Sequence, residues 1–168
     1  MGQLTYHVLD VCRYVINYSN QKGYGISNLK LQKILYFIQA YFLCSSYGDS
    51  PSPCFYESIE AWDFGPVVPE AYHEYKQYGS SSIPTVTSYM SFDEEDMWNI
   101  SMVPYDDNII QSEDKEKINA VVDMFAKYSA TDLVTLTHNQ APWRDAYVSR
   151  SNREITIESI RRYFNDEE

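Results

Sequence analysis

Between Asn28 and Ser45 the chain places apolar side chains on nearly every side of a helix: Leu29, Leu31, Ile34, Leu35, Phe37, Ile38, Ala40, Tyr41, Phe42 and Leu43. A helix that is apolar over most of its circumference needs protein around it, so it belongs at the centre of the fold. Ser27 is a suitable N-cap, and Ile26 before it can staple onto Leu31. What remains is a narrow polar strip of Gln32, Lys33, Tyr36 and Gln39. The strip is expected to face either solvent or a functional cleft.

The rest of the chain supplies the cover. Residues 5–19 carry Val8, Cys12, Val15 and Ile16 at helical spacing, and Gly23 and Gly25 mark the loop that follows. Ile118, Val121, Val122 and Phe125 stripe a helix over 113–127. Ser129 with Asp132 has the spacing of a capping box. Pro142-Trp143 opens a short helix to Tyr147, and Thr156 caps the last one, with Ile155 and Ile160 as its staple. A loop is expected at 48–53, with fraying of the acidic tail Asp166-Glu167-Glu168. Strands are expected over 55–64, 84–90 and 100–104, with a helical turn at 92–98 as an alternative. The sum is an α+β, mainly α-helical fold: about six helices around the buried central helix 28–45, with a small antiparallel sheet. Residues 1–168 read as a single domain.

The sharpest local feature is Glu60-Ala61-Trp62-Asp63-Phe64-Gly65-Pro66-Val67-Val68-Pro69-Glu70. Gly65-Pro66 is a breaker pair, so the bend is expected there. Pro69 suits the first turn of a helix running to Tyr78, with Gly79 as its left-handed stop. Alternation along the extended arm puts Trp62 and Phe64 on one face. Two aromatic rings would then sit beside a fixed helix start. Nothing in the stretch is a catalytic group, which points to docking.

Composition narrows the function. Thirteen Lys and Arg stand against 24 Asp and Glu, a formal net charge of −11. Such a surface repels nucleic acid and favours basic partners. Three cysteines cannot all pair internally, and Asp10 and Arg13 interrupt the apolar start of the chain, as they would not in a secretory leader. No apolar run reaches the length of a membrane span. These readings place the protein in a reducing cytoplasm. Cys12, Cys44, Cys54, His7, His73 and His138 show no metal-ligand spacing, and no glycine-rich phosphate loop is present, so neither a metal nor a cofactor is expected. His138 is a candidate acid–base group for a small hydrolase or transferase; the simpler reading is that it caps a helix end or bonds to backbone.

Four pieces stand in order: Ser27-Asn28-Leu29-Lys30-Leu31-Gln32-Lys33-Ile34-Leu35-Tyr36-Phe37; Ile59-Glu60-Ala61-Trp62 with Gly65-Pro66-Val67-Val68-Pro69; Tyr75-Lys76-Gln77-Tyr78-Gly79; and Leu136-Thr137-His138-Asn139-Gln140-Ala141-Pro142-Trp143. Together they resemble the Panacea domain family, which includes SocA-like antitoxins and phage-associated GepA-like proteins. The resemblance implies a helix-dominated fold and an antitoxin role in a toxin–antitoxin system. It implies neutralisation of a cognate toxin by direct, chaperone-like contact, without enzymatic activity. One branch of the family resembles a protease adaptor, which makes a cytoplasmic protease an alternative partner. No catalytic residues carry over.

The expected partner-binding set is Gln32, Lys33, Tyr36, Trp62, Phe64, Pro66 and Tyr72, although for Trp62, Phe64 and Trp143 plain core is the commoner reading of such aromatics. A pairing of Lys30 or Lys33 with Glu60 or Asp63 is one way to fix the corner.

Overall fold

A computed structural model describes residues 5–45 and 52–166. The loop expected at 48–53 lies partly, and Glu167 and Glu168 wholly, outside the described residues. Helix α2 (Asn28–Cys44) is the hub. It is packed by α1 (Val8–Gln21), α3 (Pro69–Tyr75), α4 (Ser112–Met124), α5 (Ala130–His138) and α7 (Ile157–Asp166). The short α6 (Ala141–Ala146) bridges α5 and α7. Leu31, Ile34, Leu35, Ile38, Phe42 and Leu43 are sealed from solvent. Each contributes roughly 1.5–3 kcal/mol of burial.

The starts of these helices follow from local chemistry. Ser27 Oγ accepts from Lys30 N at the head of α2. Ser129 and Asp132 form a reciprocal capping box on α5. Thr156 Oγ1 accepts from Ser159 N ahead of α7, and Ile155 and Ile160 are both buried there. Helix α1 starts at Val8, the first residue of its apolar spacing and later than the residue 5 expected for the segment, where His7 Nδ1 caps it by accepting from Leu9 N.

Two small antiparallel sheets complete the fold. The first has the order β2 (Gly65–Val67), β1 (Ile59–Trp62), β5 (Arg153–Ile155). The second is a two-stranded hairpin of β3 (Ser88–Phe92) and β4 (Ile100–Pro104). Strand β3 begins later than 84 because the preceding backbone is held by side chains of α1. Asn17 bonds both the N–H and the carbonyl of Val86, at 2.8 and 2.9 Å. Asn20 bonds the carbonyl of Ile83 and the hydroxyl of Thr85. The fold is α+β and mainly helical, with seven α-helices among the described residues.

Candidate partner-binding site

The corner after β1 is a two-residue hairpin turn. Trp62 pairs with Gly65, so Asp63 and Phe64 form the tip. The bend therefore falls one step earlier than the Gly65-Pro66 pair suggests, and those two residues open the return strand. Gly65 adopts φ +107, which a side chain rarely tolerates. A Cβ there would lie 2.8 Å from Lys33 Cε and 2.9 Å from Thr137 Oγ1. Pro66 fits because β2 is an edge strand. Pro69 occupies the first turn of α3. After a 3₁₀ turn over Lys76–Tyr78, Gly79 ends the segment at φ +57.

Moving the bend changes the two aromatics. Phe64 does not share a face with Trp62; it projects from the tip and is 67% exposed. Trp62 is half-buried and meets the Tyr72 ring edge-on at 5.0 Å. Its indole N–H donates to Glu60 Oε1 at 2.9 Å.

The polar strip of α2 does not face solvent. Gln32, Lys33, Tyr36 and Gln39 are all buried; Gln32, Lys33 and Gln39 satisfy backbone groups of the segments packed against α2, and Tyr36 bonds a side chain of the turn before α6. Gln32 Oε1 accepts from Val68 N at 3.0 Å. Its amide donates to Asn28 Oδ1, and Asn28 Nδ2 in turn donates to the Tyr72 carbonyl. Lys33 Nζ donates to the Pro66 carbonyl at 3.1 Å. Tyr36 OH donates to Gln140 Oε1. Gln39 accepts from Cys54 N and Phe55 N and donates to the Phe55 carbonyl. One helix face thus grips the approach to β1, the return strand and the start of α3.

The ion pairs expected at the corner do not form. Lys30 Nζ donates to the Ala126 carbonyl instead. Lys33 has no carboxylate against it among the described residues, and burial pushes its amine down to about 7. The unshielded cation would be costly there, so the neutral amine bonded to a carbonyl is the comfortable state.

A second support stands behind the tip. Trp143 Nε1 donates to the Trp62 carbonyl at 2.8 Å. The Trp143 ring is stacked between His138, at 4.0 Å, and Tyr147, at 4.5 Å. Tyr147 OH donates to Asp63 Oδ1. Thr137 donates to the Leu133 and Val134 carbonyls, and its hydroxyl is one of the atoms that leave no room for a side chain at Gly65. His138 ends α5, and no hydrogen bond joins its ring to backbone, carboxylate or thiol among the described residues. The expected capping role is replaced by stacking.

The outer side of this frame is a groove of about 240 Å³. Leu29 and Val67 give it apolar walls, Trp62, Phe64 and Tyr72 give it aromatic ones, and Asp63, Arg150 and Asn152 add polar groups. Of the seven residues expected to meet a partner, Trp62, Phe64 and Tyr72 reach this surface. Gln32 touches its floor while itself buried. Lys33, Tyr36 and Pro66 lie beneath. Arg150 and Asn152 were not anticipated. Both adopt positive φ in the loop before β5. The Ser149–Asn152 composition signals a loop, but nothing in the sequence brings that loop to this groove.

The thiols are poorly placed for chemistry. Cys12 and Cys54 are sealed, and burial pushes both thiols well up. Cys44 is half-buried and also pushed up. Thiols of this kind are weak nucleophiles. His7, Glu57 and Glu70 bring ligand-type atoms within 4.8 Å of one another. His7 Nδ1 already accepts from Leu9 N, so the neutral ring carries its proton on Nε2. That nitrogen lies 3.2 Å from Glu57 and 3.4 Å from Glu70. With Nδ1 engaged, Nε2–H is placed to donate a hydrogen bond to the carboxylates, which leaves no lone pair there for a cation.

Comparison with known sequences covers most of this frame. The family described as "Antitoxin SocA-like, Panacea domain" matches residues 31–144. That span holds all seven expected site residues and the Thr137–Trp143 support, and excludes Arg150 and Asn152. Antitoxin SocA of Caulobacter vibrioides (strain NA1000 / CB15N) is 34% identical over 119 residues, or 70% of this chain and 58% of that protein. The chain therefore matches little more than half the length of this curated relative. No solved structure matches.

Proposed function

The chain belongs to the SocA-like antitoxin, Panacea domain family, and from that membership we propose that it is an antitoxin acting by direct contact with a toxin protein. The observation that carries the reading is the tip of the first hairpin. An exposed phenylalanine and two half-exposed aromatics stand on a frame whose backbone is tied down from inside. Large aromatics held rigid beforehand are what a protein interface uses as anchors, because little side-chain freedom is lost on docking. Trp62, Phe64 and Tyr72 make the contact. Gln32, Lys33, Tyr36 and Pro66 hold them in place.

The toxin is a protein with a basic face, since this chain carries a net charge of −11. Chaperone-like behaviour is part of the proposal: the aromatics shield an apolar surface of the toxin until the complex forms. The protein works in the cytoplasm. Its three cysteines are free, and no described helix is long and apolar enough to cross a membrane.

Co-expression with the product of the neighbouring reading frame tests the reading. That product is expected to arrest growth alone and to be harmless beside this protein, and the two should co-purify. A product harmless alone, or equally toxic with its neighbour present, refutes it. Recovery of a host protease in place of the toxin would shift the role to that of an adaptor.

A further inference from the structure

The β3–β4 hairpin has its faces the wrong way round for a free-standing sheet. Residues directly opposite in an antiparallel pair share a face. Met90 pairs with Met102, and Phe92 pairs with Ile100. These four large apolar side chains form one face, and all are at least half exposed. The opposite face carries Tyr89, Ser91, Ser101 and Val103. Tyr89 and Val103 are the half-buried members of the hairpin, and the Arg13 guanidinium lies 3.4 Å over the Tyr89 ring. So the serine-bearing face turns toward α1 and the oily face turns to water. At the tip, Met97 and Trp98 add to the exposed surface, Trp98 at 92%.

A contiguous cluster of exposed large apolar side chains rimmed by charge marks a binding surface. Its charge names the occupant. Asp93, Glu94, Glu95 and Asp96 lie between Phe92 and Met97, and residues 88–104 contain no Lys or Arg. No ion pair among the described residues neutralises the four carboxylates. A second copy of this chain would bring four like charges to the same tip, and an anionic membrane surface would repel it. The base of the arm is fixed to α1 through Asn17 and Asn20, so the patch is presented on a stable mount.

We infer that the β3–β4 arm is a docking surface for a basic amphipathic segment of a protein partner, its apolar stripe on Met90, Phe92, Ile100 and Met102 and its Lys or Arg flank on Asp93–Asp96. This rests on the protein-binding reading above and adds the chemistry of the partner and a second contact surface.

The test uses the purified full chain with two synthetic peptides, one of alternating leucine and lysine, the other of alternating leucine and glutamate. Fluorescence anisotropy of labelled peptide reads the affinity. The lysine peptide should bind and the glutamate peptide should not. Phe92→Ser with Met102→Ser leaves net charge unchanged and should weaken binding roughly tenfold or more. Replacing Asp93–Asp96 by their amides should weaken it too and flatten its salt dependence. Both variants should melt with the parent, since the altered side chains are exposed. Equal binding by the double-serine variant would mean attraction by net charge alone and overturns the inference. So does binding of both peptides alike, or sedimentation showing a dimer that the double-serine change splits. The same variants in the co-expression assay separate the two levels. If the parent does not protect, the antitoxin reading falls while the peptide result still decides this one. If the parent protects and the double-serine variant protects equally, the arm has no part in holding the toxin.

Discussion

Lys33 donates its side-chain amine to the carbonyl of Pro66, 3.1 Å away, in a part of the core that solvent does not reach. The bond spans from the middle of the central helix to the return strand of the hairpin that carries the exposed aromatics. It makes the ionisation of one lysine a property of the whole corner.

The pH dependence follows in sign and size. Lys33 keeps its proton to its ordinary value of 10.5 when unfolded, and only to about 7 when folded. Between those limits the unfolded chain binds more protons, so folding is favoured as pH rises; below about 7 both states are charged and the burial cost is present in full. Relative to Lys33→Met, the parent should gain on the order of 2–3 kcal/mol of stability from pH 7 to pH 9. Urea unfolding of both proteins across that range measures it. A constant difference would show that the amine is not held neutral.

Gly65→Ala should destabilise by about 2–4 kcal/mol, because φ is +107 and the new methyl meets Lys33 and Thr137. Gly79→Ala also sits at positive φ but has nothing within 4 Å, so it should cost about 1 kcal/mol. Denaturant midpoints with unchanged slopes check the ranking. Equal costs would mean that space at Gly65 is not the constraint.

Gln39→Leu keeps most of the volume and removes three hydrogen bonds to the Cys54–Phe55 backbone. Stability should fall by about 2–4 kcal/mol, because buried N–H groups lose their acceptor. Amide exchange at Cys54 and Phe55 should quicken selectively. Unaltered exchange would place the restraint elsewhere.

Phe64→Ser should leave stability almost unmoved, within about 0.5 kcal/mol, as exposed positions do. Trp62→Ala should cost about 1–3 kcal/mol through its lost packing on Tyr72. Both should weaken toxin neutralisation in co-expression. Neutralisation that survives Phe64→Ser intact would take the hairpin tip out of the contact.

The sequence carried the central helix, the capping box at Ser129 and Asp132, the Pro69 helix start and the Gly79 stop, because each is decided by neighbours in the chain. It misdirected the reading of Gln32, Lys33 and Gln39. A polar side chain bonded to buried backbone has the same periodicity as one in water, and only the fold says which. The bend moved from Gly65-Pro66 to Asp63-Phe64 because Gly65 uses its freedom to fit against Lys33 and Thr137, a contact from two distant segments. That shift parted Phe64 from Trp62. Strand β5 and the groove residues Arg150 and Asn152 were silent for the same reason: they are short, polar and meaningful only beside β1.

Because the amides and the amine along the inner face of α2 are consumed in holding the corner, its backbone is fixed from beneath by bonds that the outward rings of Trp62, Phe64 and Tyr72 do not make. Side chains at 62, 64 and 72 can be exchanged for others of different chemistry while the polar bonds from 28, 32 and 33 persist. If the chain is the antitoxin proposed above, redesign for a new toxin should begin with these outward side chains.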